Sequence, residues 1–456
     1  MTRVFVESCE FVVTVDDDVS AGEAGTEVAG GSILIEDGVI AWAGAGEPPA
    51  EADEWIDGRG TIALPGLVNT HHHLYQTLTR ARATREGLFG WLVALYPVWA
   101  GVDAEWVHAA ARAGLAQLAL AGTSTTTDHH YIHPQGVGDL LDVEIEAARA
   151  LGMRFHPCRG SMDLGEADGG LPPDSVVETT EQALERSEEA VRRFHDPSPG
   201  AMLRIAIAPC SPFSVTERLM RESAELARRV GVLLHTHLAE TLDEERFCLE
   251  RFGRRPLELM DDWGWVGPDV WFAHGVHLDE KDVRRIGETS SGVASCPSSN
   301  LRLGAGIAPV RGLLEERARV GLGVDGPASN EASDLFGEIR QAMLLSRAAG
   351  PDRGLSDREA LRLATRGGAE ILGRDDIGSI EPGKRGDIAI FAVDGLAQVG
   401  AVADPVAGLL MGASQRVRHL LVEGRPVVRD GRLVTADEDE IVREGRLVAR
   451  RIAETG

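Results

Sequence analysis

Apolar and polar residues alternate at both ends of the chain. The N-terminal segments VFVESCEFVVTV (4–15) and GSILIEDGVIAWAG (31–44) follow a period of two, and an Asp-Gly pair inside the second favours a hairpin turn. The same period recurs near the C-terminus, in GDIAIFAV (386–393) and HLLVEGRPVVRDGRLV (419–434). This pattern predicts one small β-sandwich domain built from both termini, although two independent β caps would produce the same alternation.

Between these ends, short runs of β-branched and apolar residues alternate with longer helical patterns, which is typical of βα units around a parallel sheet. Eight such runs suit a closed barrel, and a doubly wound open sheet would also accommodate them. We predict a (β/α)8 TIM-like barrel at residues 61–380, with the β-sandwich domain formed by 1–60 and 381–456. The eight predicted strands are TIALPGLVNTH (61–71), GTSTTTDHH (122–130), MRFHPCRGS (153–161), LRIAIAPCS (203–211), GVLLHTH (231–237), DVWFAH (269–274), SGVASCP (291–297) and RVGLGVD (319–325).

Charge and composition exclude several classes of protein. The formal net charge of -26 repels nucleic-acid phosphates and anionic membranes. No apolar stretch approaches the roughly 20 residues of a membrane span, and the N-terminus does not resemble a signal peptide. The five cysteines are scattered singly, so we expect reduced thiols without disulfides. These observations predict a cytoplasmic protein that binds neither nucleic acid nor a membrane.

Histidines and one aspartate stand at the predicted ends of several strands. The first strand ends in NTHHH, and because strand side chains alternate, His71 and His73 share a face while His72 points the other way. In a barrel, these strand ends meet at the face where the active sites of this architecture are found. The other strand ends carry His235, His237, His274 and Asp325.

These residues predict a metal site. Neutral imidazoles and one carboxylate suit Zn²⁺ or a similar divalent transition metal, and a catalytic site keeps one position open for water. We expect one ion, because the fourth strand, LRIAIAPCS, has no lysine that could bridge a second metal. The predicted ligands are His71, His73, His237 and Asp325.

Three side chains are candidates for catalysis on this metal. Asp325 can take a proton from the attacking water and deliver it to a leaving amine. Glu240 can protonate a ring nitrogen of the substrate, although a solvated loop carboxylate is the alternative. His274 can hold the attacking hydroxide and steady developing negative charge. A non-catalytic metal-binding scaffold is the competing class, but a purely structural site would be closed and would need no neighbouring acid.

The other histidines are assigned more weakly. We expect His72 to pack behind its strand, and His235 to have a structural or supporting role beside the ligands. His129, His130 and His133 follow the second strand, where lining the mouth of the pocket, packing and exposure are all open.

At this point the chain resembles a known family. The segments PGLVNTHHHLYQ (65–76), HTHLAE (235–240), AHGVHL (273–278) and GLGVDGPASN (321–330) are similar to the amidohydrolase superfamily, in its group of deaminases and triazine hydrolases that act on aromatic heterocycles. LRLATRGGAEILGRDDIGSIEPGKRGDIAIF (361–391) is similar to the family's return from the barrel to the sheet domain. The resemblance covers nearly the whole chain.

Further segments resemble the deaminases of 8-oxoguanine within this group: 88–100, 159–174 and 208–224. This resemblance implies one catalytic zinc on the ligands named above and hydrolysis of 8-oxoguanine to urate and ammonia. It also implies a homo-oligomer and a set of substrate contacts. In that set Gln76 bonds a purine-like ring, Arg159 bonds the carbonyl oxygen of the heterocycle, and the loop aromatics Trp91, Tyr96 and Trp99 form a cover, although a helix core would explain the aromatics equally well.

Some positions depart from the related patterns. The chlorohydrolase type has Thr where this chain has Asp325, so the carboxylate favours release of an amine over release of a halide. Gly275 and Ser298 stand where 8-oxoguanine deaminases favour Cys, at positions expected to border the substrate. The alternatives therefore include isoxanthopterin or guanine as the deaminated ring, and an s-triazine that loses an alkylamine or a halide.

Overall fold

The computed structural model of the protein describes residues 2–17, 25–46 and 51–455. The predicted hairpin is confirmed: β4 (Gly31–Glu36) and β5 (Val39–Ala45) are antiparallel, and Asp37 (φ 47°) and Gly38 (φ 80°) form the left-handed turn between them. The N-terminal strands are β1 (Arg3–Glu7), β2 (Phe11–Val13), β3 (Glu27–Ala29), β4 (Gly31–Glu36), β5 (Val39–Ala45), β6 (Glu54–Asp57) and β7 (Thr61–Pro65).

Eight parallel strands form the predicted barrel, and they neighbour one another in sequence order. The last strand returns to the first, because Thr70 N donates to Leu322 O at 3.0 Å and Asp325 N donates to His71 O at 3.1 Å. The strands are β8 (Leu67–Asn69), β9 (Thr123–His130), β10 (Arg154–Ser161), β11 (Ala206–Pro209), β12 (Leu233–Leu238), β13 (Val270–His274), β14 (Gly292–Ser295) and β15 (Arg319–Leu322).

Helices surround the barrel, and most of them bury an apolar face against its strands. They are α1 (Leu88–Trp99), α2 (Ala104–Leu120), α3 (Leu141–Leu151), α4 (Thr180–Phe194), α5 (Glu217–Val230), α6 (Leu242–Phe252), α7 (Pro256–Asp262), α8 (Glu280–Thr289), α9 (Pro297–Arg302), α10 (Val310–Glu315), α11 (Leu335–Ala348), α12 (Asp357–Arg362), α13 (Gly368–Ile371), α14 (Pro405–Met411) and α15 (Glu438–Thr455). In the part of the chain that the structure describes, no helix has both the length and the apolar content needed to cross a membrane.

The run predicted as one first strand, 61–71, is divided between two sheets. β7 belongs to the terminal sheet, β8 belongs to the barrel, and Gly66 lies between them. A Cβ at Gly66 would lie 2.4 Å from Ser124 Oγ, so only glycine lets the chain pass this close to β9.

Both termini build one β domain, as predicted. β16 (Ile388–Ala392) pairs antiparallel with β7, and this pairing joins C-terminal and N-terminal strands in a seven-stranded sheet. The apolar face of that sheet packs on a four-stranded sheet of N-terminal strands, for example where Ile33 and Ile35 share a core with Ile388 and Ile390. The remaining strands are β16 (Ile388–Ala392), β17 (His419–Val422), β18 (Arg425–Arg429) and β19 (Arg432–Leu433).

A buried arginine ties this domain to the barrel. Arg154 on β10 is 1% exposed, and its Nε and Nη2 donate to the two carboxylate oxygens of Asp387 at 3.0 and 3.1 Å. Asp387 also accepts from the backbone N of Glu423 at 2.8 Å. Because both charges are removed from water, each depends on its partner.

Replacing Asp387 by Ala should therefore lower the free energy of unfolding by about 3 kcal/mol, since it leaves part of a buried guanidinium unpaired. Urea titration followed by far-UV circular dichroism measures this loss. The matched control is Asp57→Ala, which breaks the exposed pair with Arg59 on the same domain and should change stability little. Equal effects of the two substitutions would contradict the role assigned to the buried pair.

Candidate metal centre and active site

The four predicted ligands meet at the C-terminal mouth of the barrel. His71 and His73 follow β8, His237 lies in β12, and Asp325 follows β15. Nε2 of His73 lies 3.1 Å from Nε2 of His237. Oδ1 of Asp325 lies 3.3 Å from Nε2 of both His71 and His73. These four side chains thus direct one atom each towards a common point, which we call the metal point.

Backbone carbonyls determine which nitrogen of two of these rings carries the proton. His73 Nδ1 lies 2.8 Å from His129 O, and His237 Nδ1 lies 2.7 Å from Cys210 O. A carbonyl oxygen can only accept, so both Nδ1 atoms donate. In the neutral rings, each Nε2 therefore turns a lone pair towards the common point.

In His71, the third ring, the position of the proton is determined in the same way, through a hydrogen bond to His235. His235 Nδ1 donates to Trp271 O at 3.0 Å, which leaves its Nε2 as an acceptor. That Nε2 lies 2.9 Å from His71 Nδ1, so His71 donates and its own Nε2 is free. Within the described residues, His71 Nε2 has no hydrogen-bond partner although it is buried. His235 therefore orients the predicted ligand His71 and holds its proton on Nδ1.

This arrangement fits a zinc ion. Two unprotonated Nε2 atoms 3.1 Å apart repel each other unless a cation lies between them. A tetrahedral ion with bonds of about 2.0–2.1 Å separates its ligand atoms by about 3.3–3.4 Å, close to the distances found here. Burial holds the pKa of His71 and His237 well below the usual range, which keeps both rings neutral and able to bind metal.

Asp325 is held as a carboxylate. Burial alone would raise its pKa, but the adjacent imidazoles of His71 and His73 hold the pKa well below the usual value. The hydroxyls of Ser299 and Ser329 donate to its Oδ2 at 2.5 and 3.0 Å, so Oδ1 is the atom directed at the metal point. Asp325 has a φ of 61°, a conformation that costs a non-glycine residue energy and is concentrated at functional sites.

The pKa of Glu240 is shifted in the opposite direction. Its side chain is buried, and burial together with the charge of Asp325 raises its pKa well above the usual value. Its Oε1 is without a hydrogen-bond partner among the described residues, and its Oε2 lies 3.6 Å from His274 Nε2. His274 Nδ1 lies 2.9 Å from Asn300 Oδ1, which orients the ring towards Glu240.

The predicted aromatic cover is helix α1. Trp91 and Tyr96 line the cavity above the metal point, and Trp91 Nε1 donates to Ala328 O at 3.2 Å. Trp99 instead packs inside the helix core, where its Nε1 donates to Thr79 Oγ1. The cavity between α1 and the ligand atoms has a volume of about 30 Å³, well below the roughly 300 Å³ typical of a small-molecule site.

Gln76 lines the same cavity. Its side chain is fully buried, and Oε1 has no hydrogen-bond partner in the described part of the chain. A Cβ at Gly326 would lie 1.8 Å from Oε1, so the glycine after Asp325 makes room for this amide. The wall of the cavity therefore includes a buried amide whose oxygen has no hydrogen-bond partner among the described residues.

Arg159 does not reach the cavity. The parallel register pairs Cys158 with His129 and Arg159 with His130. Since His129 points into the barrel, Cys158 does too, and Arg159 faces the surrounding helices. Its Nη1 and Nη2 bond both carboxylate oxygens of Glu178 there, at 2.9 and 2.7 Å. Strand alternation is thus the reason why the predicted contact with the substrate carbonyl is not supported.

The structure adds residues that the sequence reading left unassigned. His129 is buried beside the metal point, with Nε2 donating to Ala208 O and one ring nitrogen within 4.8 Å of ligand atoms of His71, His73 and His237. Its position at the inward end of β9 follows from strand alternation, once that strand is known to reach His130. The cavity is also lined by residues that were not named individually from the sequence: Leu88, Leu92, Tyr131, Cys210, Ser211, Phe213 and Leu303.

The remaining histidines lie outside the cavity. His72 is buried behind β8 as expected, 3.4 Å from Ser333 Oγ. His130 pairs with Glu144, and His133 donates to Gly160 O. All five cysteines are buried and unpaired, as predicted.

The two positions that depart from the deaminase pattern lie outside the cavity as well. A Cβ at Gly275 would contact Leu278 and Val293. Ser298 N donates to Glu338. Neither position is among the residues that line the cavity.

Known proteins agree with this geometry. The amidohydrolase family pattern matches residues 62–431. The 8-oxoguanine deaminase of Pseudomonas aeruginosa is 47% identical over 93% of this chain and 95% of its own length. The hydroxydechloroatrazine ethylaminohydrolase of Pseudomonas sp. is 37% identical over 95% of this chain and 94% of its own. The zinc complex of atrazine chlorohydrolase from Arthrobacter aurescens TC1 superposes with a TM-score of 0.93 at 35% identity, covering 98% of this chain and 100% of that one. The chain belongs to the amidohydrolase family.

Proposed function

We propose that the protein is a hydrolytic deaminase that converts 8-oxoguanine and water into urate and ammonia, with one zinc ion held by His71, His73, His237 and Asp325. The observation that carries the proposal is the convergence of three imidazole lone pairs and a carboxylate beside the buried side chain of Glu240. The identity of 47% to an 8-oxoguanine deaminase supports the choice of substrate.

Side chains of the protein carry out the proton transfers of the proposed reaction. Zinc, when bound, lowers the pKa of water to about 7. Asp325 accepts the proton of the attacking water through Oδ1 and later delivers it to the exocyclic amine as ammonia leaves. Glu240 protonates the ring nitrogen next to the attacked carbon, which keeps that proton, and Glu240 takes the proton of the new hydroxyl group when the ring carbonyl forms. His274 accepts a hydrogen bond from the water and fixes the direction of attack.

Gln76 and α1 act on the substrate ring. The free Oε1 of Gln76 accepts from a ring N–H, which the oxopurine supplies and a fully substituted triazine does not. Trp91 and Tyr96 cover the planar ring and exclude water from it.

A second candidate is removal of an alkylamine from an s-triazine, which the ethylaminohydrolase relative favours at 37% identity. Isoxanthopterin and guanine remain further alternatives for the ring. A cytoplasmic location and a homo-oligomeric state remain predictions from the sequence.

The substrate is tested by assaying the zinc-loaded enzyme for ammonia against a panel of 8-oxoguanine, guanine, isoxanthopterin and N-alkyl s-triazines. We expect 8-oxoguanine to give the highest kcat/KM, because the relative that is 47% identical is an 8-oxoguanine deaminase. Guanine and isoxanthopterin offer the same ring N–H to Gln76 and ring nitrogen to Glu240, so the panel separates them from 8-oxoguanine. Higher kcat/KM for an s-triazine would favour the second candidate. Release of no amine from any compound by enzyme with full zinc occupancy would refute the deaminase assignment.

Substituting Asp325 by Asn should abolish turnover, with a fall of at least about 10³-fold, because the amide can neither accept the water proton nor neutralise the metal charge. Bound zinc, measured by plasma mass spectrometry, should fall as well. The matched control is Asp334→Asn, the same chemical change at the N-cap of α11, where asparagine caps equally well. Retained turnover in Asp325→Asn would remove Asp325 from the mechanism.

Glu240→Gln should lower kcat/KM by about 10²–10⁴-fold, since the amide cannot transfer a proton. Glu240 has a raised pKa, so its acid form is present below that pKa and is lost as the pH rises through it. We therefore expect the kcat/KM of the wild type to decline on the alkaline side, and this decline to be absent from the residual activity of Glu240→Gln. Glu245→Gln, outside the cavity, is the control and should keep the wild-type profile. An unchanged alkaline decline in Glu240→Gln would assign it to another group.

A further inference from the structure

The turn that follows His73 lacks a cap of its own. Residues Leu74–Thr79 form a 3-10 helix, and its N-cap residue, His73, makes no side-chain capping bond. The ring of His73 is not available for this purpose, because its Nδ1 donates to His129 O. The first backbone N–H groups of such a turn need an acceptor from elsewhere.

Asp128 supplies that acceptor from the neighbouring strand. Its Oδ1 accepts from the backbone N of Leu74 at 2.5 Å. The next residue in β9, His129, bonds the same segment twice, since its N donates to His72 O at 2.7 Å and its O accepts from His73. The end of β9 therefore holds the chain on both sides of a predicted metal ligand.

Asp128 belongs to a buried group of three ionisable side chains. Asp128, His130 and Glu144 are all fully buried, and one atom of each lies within 4.8 Å of the others. His130 bonds Ile132 O through Nε2 and Glu144 Oε1 through Nδ1, at 2.8 and 2.7 Å. Both ring nitrogens are thus engaged, and 2.7 Å is a hydrogen-bond length, shorter than the separation of two ligands around an ion. The group is a hydrogen-bonded support for β9 and α3, and its geometry does not fit a second metal.

We propose that Asp128 is a positioning residue for the metal centre: its Oδ1 accepts from the N–H of Leu74, and thereby sets the Nε2 of His73 towards the metal and the amide of Gln76 towards the substrate. Gln76 depends on the same turn, because its backbone N donates to His73 O at 3.1 Å. The part of this inference that concerns Gln76 rests on the proposed function, whereas the part that concerns the metal does not.

The test compares Asp128→Ala with Asp128→Asn. In Asp128→Ala the turn loses its cap, and we expect the zinc dissociation constant to rise about 10- to 100-fold, as is typical when a group that orients a metal ligand is removed. In Asp128→Asn the amide oxygen still accepts from Leu74. Its Nδ2 can donate to Glu144 Oε2, which has no partner among the described residues, so zinc affinity should stay within about threefold of the wild type.

Zinc affinity is measured by competition with a chromogenic chelator on metal-free protein, and kcat/KM is measured separately on zinc-saturated protein. Asp387→Ala is the control for general destabilisation, and it should lower stability without changing zinc affinity. If Asp128→Ala does not fold, Asp128→Val, which suits a strand and leaves less empty space, takes its place with the same expected loss.

Two results would overturn the proposal. One is unchanged zinc affinity in the Ala or Val variant, and the other is an equal loss of affinity in Asp128→Asn, since a capping role requires only an acceptor. If the wild type releases no ammonia from any heterocycle, the proposed function fails, while the zinc comparison still decides the role of Asp128 in the metal centre.

Discussion

The site depends on the placement of three protons. Each imidazole directed at the metal point must carry its proton on Nδ1, since a proton on Nε2 would block the lone pair that binds a metal. The acceptors are backbone carbonyls of neighbouring strands, two directly and one through His235. Their positions follow from the parallel register of the barrel. Closure of the barrel matters equally, because the bond from Asp325 N to His71 O brings the carboxylate from the last strand to the first.

The pKa values of two carboxyl groups in this cavity are shifted in opposite directions, for reasons that can be separated. Asp325 and Glu240 are both buried, which by itself favours the neutral form of each. Asp325 has imidazoles at 3.3 Å and two hydroxyl donors, which outweigh burial. For Glu240, His274 Nε2 lies further away, at 3.6 Å from Oε2, Oε1 has no hydrogen-bond partner among the described residues, and the charge of Asp325 adds to the effect of burial. Such pairs mark the acid and the base of a hydrolytic site.

Much of the fold and of the metal centre could be predicted, because period-two alternation and the position of strand ends are local properties. His71, His73 and His237 needed only these two rules. Arg159 could not be placed in this way, since MRFHPCRGS mixes polar and apolar residues on both faces and its inward face is set by pairing with β9. The division of 61–71 at Gly66 was also hidden, because it depends on β16, more than 300 residues further along the chain.

That pairing also bears on how the chain acquires its structure during synthesis. β7 is translated early, but both β2 and β16 flank it in the finished sheet, and β16 emerges from the ribosome only after all eight barrel strands. Until then one edge of β7 presents unpaired backbone groups, beside apolar residues that have no partner surface. A nascent chain that stops after the barrel would therefore expose an unpaired strand edge that can hydrogen-bond to another chain. Interrupted translation products of this protein should consequently be prone to self-association.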